Sequence, residues 1–253
     1  MIFSIIAQIF LLLFFFAKDK NDGEKKLFKR QQWKALDVVI MLLLMEAYPL
    51  YFVLVAYIFL QFNIDLRPLI HSLSNRDIVF YVSVISLLLL ILIFKFKFKQ
   101  AFSILGFGKD ELRRNIALGM LVGLAAFLTI DGLYLLLLPK QFEERVVEML
   151  TTIRNPYDYF ILFFGTVFLG PLVEEVVYRG ILYSPFRKKF GPVKAIIITS
   201  LFFGVAHPSV PVAFFVAIFL TILYEITESI IATSVAHSAH NLLVVATALL
   251  LLK

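Results

Sequence analysis

Residues 172–182 read LVEEVVYRGIL: two adjacent glutamates and an arginine inside a long apolar stretch. An ionised side chain at the centre of a bilayer costs at least about 2.5–3.5 kcal/mol. Three such groups in one apolar segment therefore call for partners, for a function, or for both. Helical spacing separates the two glutamates. Positions four apart share a face when the turn is about 3.6 residues, so Glu175 and Arg179 can pair. Glu174 is five residues from Arg179 and projects elsewhere. The segment holds one neutralised pair and one carboxylate without a local partner, and an unpaired intramembrane carboxylate is a functional candidate.

The surrounding composition sets the class. Of the 253 residues, 61% are hydrophobic and 28 are phenylalanine, against an average apolar usage of about 45–50%. The reading is an integral membrane protein with a single membrane-embedded domain over 1–253. Cysteine is absent, which excludes disulfides and thiolate chemistry. The net charge of +6 does not point to nucleic acid, because the basic residues fall between apolar segments and act as a topology signal. Internal repeats and Gly/Ser/Pro tracts are missing.

Apolar runs of roughly 17–25 residues are candidate spanning helices. Eight are expected, near 2–17, 38–61, 78–96, 115–138, 158–181, 193–207, 211–226 and 229–252. The first is read as a retained anchor, since its basic cluster follows the apolar run. Between 193–207 and 211–226 lies HPSVP, whose two prolines end one helix and start the next. The basic residues of the first five loops count 7, 2, 6, 3 and 4. That alternation fits the positive-inside rule with both termini outside. The segment GFGKDELRRN (106–115) is expected to form a short interfacial helix. The fold expected is an all-α bundle of about eight transmembrane helices around an intramembrane polar active-site cavity.

Two further clusters are polar within apolar segments. FGVAH places Phe203 and His207 four apart, and HSAHN places His237 and Asn241 four apart with His240 between them. Glu174 lies 13 residues before Arg187, His207 lies 13 after Lys194, and His237 and Asn241 lie 9 and 13 after Glu228. At about 1.5 Å per residue these groups sit roughly 14–20 Å from the boundary charges, so they can meet in one layer. A poorly solvated carboxylate is a usable general base, and a histidine beside it can help hold a water. A second histidine and an asparagine, as neutral hydrogen-bond donors, can stabilise a tetrahedral oxyanion. Such a set suits peptide hydrolysis without a serine or cysteine nucleophile.

EEVVYR fits E-E-x-x-x-R, FGVAH fits F-x-x-x-H, and HSAHN fits H-x-x-x-N. In this order, on late helices, the three resemble the motifs of the CPBP family, which includes the type II CAAX prenyl endopeptidases and bacteriocin-immunity-type membrane proteins. The resemblance covers residues 157–245. It implies a glutamate-type intramembrane protease in which Glu174 and His207 activate water, His237 and Asn241 hold the oxyanion, and Glu175 and Arg179 support them. It implies no cofactor and no metal. Its partners would be the lipid bilayer and a peptide or prenylated protein entering from the membrane or its cytoplasmic face. The chain departs from the pattern at EITESI (225–230), with Glu228 where relatives usually carry glycine.

Other polar residues have local readings. His240 is expected to pack against a neighbouring helix, with a supporting contact to the motif residues as the other option. Glu46 and Asp131 interrupt apolar runs and either line a cavity or sit at kinks. Glu225 and Glu228 are expected as solvated loop charges. Two alternatives stay open. A metal-dependent hydrolase could use Glu174, His207 and His237 as a two-histidine, one-carboxylate site, although H-E-x-x-H is absent. A non-enzymatic scaffold, immunity protein or transporter component could use the same polar layer for binding. The Ile, Phe and Lys richness points to the cell membrane of a prokaryote.

Overall fold

The computed structural model describes residues 57, 60–62, 75–93, 105–107, 111–151, 153 and 155–251. Within these residues every regular element is helical. In chain order they are α1 (Asn75–Ile93), α2 (Leu112–Leu137), α3 (Pro139–Thr151), α4 (Pro156–Phe190), α5 (Pro192–Val205), α6 (Val210–Thr227) and α7 (Ile230–Leu251). Helices α2, α4, α6 and α7 are long and apolar enough to cross a membrane. Six expected segments correspond to α1, α2, α4, α5, α6 and α7. The expected segments at 2–17 and 38–61 lie outside the described residues, apart from positions 57, 60 and 61, which are helical.

Proline sets the boundaries. Pro139, Pro156 and Pro192 each occupy the first helical position, and Pro211 the second, where the missing N–H costs nothing. Asn155 caps α4 by accepting from the Asp158 amide at 3.1 Å, while Asp158 Oδ2 accepts from the Asn155 amide at 3.3 Å. Gly191, at φ 79°, makes the sharp reversal from α4 into α5.

Inside α4 two stretches, Phe163–Leu169 and Val176–Tyr183, are wound as π-helix. Each ends two residues before a proline, Pro171 and Pro185. A mid-helix proline removes one i→i−4 bond and crowds the carbonyl four back; a widened turn is one way to relieve that. The first widened stretch closes with the Gly170 amide donating to Gly165 O, five residues back. A Cβ at Gly170 would lie 2.8 Å from that oxygen, so the site needs glycine.

Helix α7 packs most intimately against α2. Gly119 and Gly123 form a small-xxx-small stripe on α2. A Cβ at these positions would lie 2.6 Å from Ala232 O and 2.4 Å from Ala236 O. The two backbones meet directly beside His237. Three apolar clusters surround this contact: one around the C-terminal half of α4 with α5 and α6, one among α2, α6 and α7, and one among α3, α4 and α7.

Two expectations are corrected. Leu112 already opens α2, so Arg113 and Arg114 form the first turn of the spanning helix, not part of a separate interfacial helix. Helix α3 was not expected. It is amphipathic instead of apolar: Phe142 and Leu150 are buried while Glu143 and Glu144 are exposed.

The turn between α6 and α7 explains the EITESI departure. Glu228 sits at φ 51°, ψ 29°, the left-handed position after a helix C-terminus where glycine is favoured. Its amide donates to Tyr224 O at 2.8 Å, and Ser229 Oγ accepts from the Ala232 amide at 3.3 Å to cap α7. Gly106 crosses this turn closely, its carbonyl accepting from the Ile230 amide at 3.1 Å.

Candidate active site

Helix α5 spans only about 21 Å, from 14 residues at 1.5 Å each, against a hydrocarbon core of about 30 Å. His207 follows its last turn directly, in the non-helical stretch 206–209. The His207 Nδ1–H donates to Phe203 O one turn earlier, at 2.7 Å. Its ring stacks on Phe203, with centroids 4.2 Å apart and planes at 21°. Ring and donor together fix the orientation, and Nε2 is directed at Glu174 Oε2 from 3.7 Å.

His237 approaches the same oxygen from α7, its Nε2 3.8 Å from Glu174 Oε2. Its Nδ1 lies 3.0 Å from Glu175 Oε1. A carboxylate oxygen only accepts, so Nδ1 carries the proton. Both histidines thus hold Nδ1–H in a fixed bond and turn Nε2 toward Glu174. Separations of 3.7–3.8 Å exceed a direct hydrogen bond and suit a bridging water. Glu174 and His207 are partly exposed, at 25% and 30%, whereas His237 is at 5%.

Glu175 and Arg179 lie beneath this layer, fully buried. Arg179 Nη1 donates to Glu175 Oε1 at 2.8 Å, Nη2 to Ala217 O at 3.1 Å, and Nε to Thr221 Oγ1 at 3.3 Å. Its guanidinium also lies 4.9 Å over the Phe203 ring. The pair read from spacing is present, and it does more than neutralise charge. Arg179 ties α4 to α6, and Glu175 ties α4 to α7 through His237.

Asn241, one turn beyond His237, donates from Nδ2 to Thr166 O in α4 at 2.8 Å. Its Oδ1 faces His240 Nδ1 at 3.1 Å, and His240 Nε2 lies 2.6 Å from Asp131 Oδ2. His240 does not merely pack against a neighbouring helix: it links two polar groups. Asp131 lies in the π-helical stretch Phe127–Asp131 of α2 and is buried. Glu46 lies outside the described residues.

Glu225 is not a solvated loop charge. It is 7% exposed and accepts from Tyr183 Oη at 2.7 Å, Arg187 Nε at 2.7 Å and Arg187 Nη2 at 2.9 Å. Sequence reasoning missed Thr221, Ala217 O and Thr166 O, because their part is played by single oxygens on distant helices. The Asp131–His240 contact had a readable signal: one carboxylate in an apolar run and one surplus histidine, each in need of a partner.

The expectation of neutral donors for the oxyanion needs revision at His237. With its single proton on Nδ1, the neutral ring has only a lone pair at Nε2. Nε2 can donate only when the ring carries both protons. Among the described residues no group of three or more His, Cys, Asp or Glu side chains is arranged to hold a metal ion.

Residues 156–243 match the family model described as Type II CAAX prenyl endopeptidase Rce1-like. This segment resembles that family. The match bears out the CPBP resemblance and takes in all three motifs, from Glu174 to Asn241. It covers α4, α5, α6 and most of α7, the elements that bring Glu174, His207 and His237 together. No curated protein and no solved structure matches the chain.

Proposed function

We propose that the protein is an intramembrane endopeptidase that hydrolyses a peptide bond with water activated by Glu174 and His207. The observation that carries this reading is the convergence of two histidine Nε2 atoms on one carboxylate oxygen, at 3.7 and 3.8 Å, within an Rce1-like segment. His207 in the tautomer set by Phe203 O offers a lone pair at Nε2. A water between His207 and Glu174 then directs its protons to Nε2 and Oε2 and presents an oxygen lone pair to a peptide carbonyl.

As that oxygen bonds to the carbonyl carbon, its proton passes to Glu174. The carbonyl π electrons move to oxygen, and the resulting oxyanion accepts from Asn241 Nδ2–H and from His237 Nε2–H. The oxyanion role requires His237 to carry both protons during the reaction, with its charge resting against Glu175. Collapse of the intermediate breaks the C–N bond, and the proton held by Glu174 goes to the leaving amine. The substrate proposed is a membrane-associated peptide, with a prenylated C-terminal CAAX peptide as the first member of the class to try.

The test is cleavage by purified protein in lipid vesicles, with a farnesylated CAAX-tailed peptide and an unprenylated peptide library, each with and without chelator. Wild type should cleave at least one set in the presence of chelator, and Glu174→Gln should be folded and inactive. An active Glu174→Gln variant would refute the reading. The metal alternative makes the opposite demand. The three side chains would have to close on an ion at about 2.0–2.2 Å, chelator would inactivate, and elemental analysis would find one zinc per chain.

A further inference from the structure

Asp131 lies outside the three motifs and His240 fills an unspecified position of the third; none of the steps above uses the pair. Thr166 O can only accept, so the Asn241 group 2.8 Å from it is the NH2 end of the carboxamide. That fixes Asn241 Oδ1 toward His240. Oδ1 can only accept as well, so His240 Nδ1 carries a proton and donates it over 3.1 Å. His240 Nε2 and Asp131 Oδ2, 2.6 Å apart, share the remaining proton. His240 and Asp131 are both buried, and the Phe127 ring meets the imidazole edge-on at 6.5 Å. The chain of contacts runs Asp131, His240, Asn241, Thr166, and it joins α2 to α7 and α7 to α4.

We infer that Asp131 and His240 are positioning residues that lock the Asn241 carboxamide in one of its two flip states. One Nδ2–H is committed to Thr166 O. The other is then the hydrogen presented to the substrate oxyanion, which rests on the proposed protease reading. Without His240, Thr166 O still favours this flip state, but Oδ1 loses the donor that holds it. The carboxamide is then fixed at one end only, and the flipped state, which would aim an oxygen at the developing negative charge, gains population. Asp131 acts through His240: the proton held between Asp131 Oδ2 and Nε2 serves that side of the ring and leaves the Nδ1 proton to the Asn241 carbonyl.

The experiment has a spectroscopic arm and a kinetic arm, both on the full chain in micelles. The protein is labelled with ¹⁵N at histidine and at the asparagine side chain. His240 and Asn241 signals are assigned from His240→Gln, His240→Phe and Asn241→Ala. In wild type, His240 Nδ1 should be protonated and the two Asn241 amide protons should be inequivalent and slow to exchange. His240→Phe should shift and broaden the Asn241 pair, while His240→Gln, which keeps an N–H donor, should restore it.

In the kinetic arm, with the farnesylated CAAX-tailed peptide, His240→Phe should lower kcat with KM nearly unchanged. The loss should not exceed the roughly 100–1,000-fold expected for deleting the donor itself. His240→Gln should recover most of it. An unprotonated Nδ1 at His240 in wild type would overturn the inference, even if His240→Phe fails to fold. So would unchanged Asn241 signals in a folded His240→Phe protein, or a shift in those signals with kcat intact. A wild type that cleaves nothing sinks the protease reading instead, while the amide signals still decide whether His240 orients Asn241.

Discussion

Replacing Glu175 with glutamine tests the electrostatic core of the site. The carboxylate is fully buried and faces two donors, Arg179 Nη1 at 2.8 Å and His237 Nδ1 at 3.0 Å. Glutamine keeps a carbonyl oxygen for these donors but removes the negative charge, stranding a guanidinium that is 1% exposed. Breaking a buried ion pair by removing one partner costs about 3–5 kcal/mol. Arg179 retains Ala217 O and Thr221 Oγ1, so the lower end applies: about 3 kcal/mol, more than a hundredfold in the unfolding equilibrium. The assay is reversible unfolding by sodium dodecyl sulfate in mixed micelles, followed by circular dichroism. A second variant identifies the cause. Glu175→Gln combined with Arg179→Met removes both charges yet leaves an acceptor for His237, and it should regain most of the lost stability. A single variant within about 0.5 kcal/mol of wild type, the range of an ordinary surface change, would refute the reasoning. So would a double variant no more stable than the single one.

Three other perturbations probe separate parts of the structure. Gly123→Val places a Cβ 2.4 Å from Ala236 O. It should cost at least the roughly 1–3 kcal/mol of overpacking and lower the yield of monodisperse protein, whereas Gly132→Ala, whose Cβ meets only Phe127 O at 3.9 Å, should be tolerated. Glu228→Gly relieves a left-handed backbone that costs an L-residue about 1–2 kcal/mol; the more flexible unfolded chain offsets part of that, so unfolding should show a net gain of at most about 1 kcal/mol. Asn241→Ala should reduce kcat about 100–1,000-fold while substrate binding, measured by competition, stays nearly constant.

Local arithmetic carried the sequence reading where the answer lay within one helix. The four-residue step from Glu175 to Arg179 foretold a contact found at 2.8 Å. The apolar runs foretold α1, α2 and α5 to α7 within three residues of their observed bounds, while α4 continues past the expected end at 181 through the basic turn to Phe190. Helix α3 escaped because its pattern is amphipathic, and a search for apolar runs passes over Phe142 and Leu150 when Glu143 and Glu144 stand beside them. The Gly119–Gly123 stripe was readable as a packing motif, but nothing in the sequence says that Ala232 and Ala236 are what it meets. Glu228 was readable as an oddity, and its backbone angles supply the reason: the position calls for positive φ, whichever residue fills it.

The site itself was legible in its residues and less so in its wiring. Depth reckoning from boundary charges brought Glu174, His207, His237 and Asn241 into one layer. Both histidines lie within 3.8 Å of Glu174, while Asn241, one turn further along α7, bonds Thr166 O and His240. The estimate tolerated the π-helical turns of α4, because one extra residue per turn shifts depth by about 1.5 Å, less than the reach of a side chain. Protonation was beyond that arithmetic. Which histidine nitrogen faces Glu174 depends on what the other one binds, and those partners are a main-chain carbonyl in α5 and a carboxylate in α4. A sequence names the histidine but not its tautomer. The same limit hid the role of His240, whose two nitrogens bind groups 109 residues and one residue away. Charge balance offered a way past it. Asp131 and His240 each interrupt an apolar run, and each is costly there alone. Pairing the two removes both costs, and the fold pairs them.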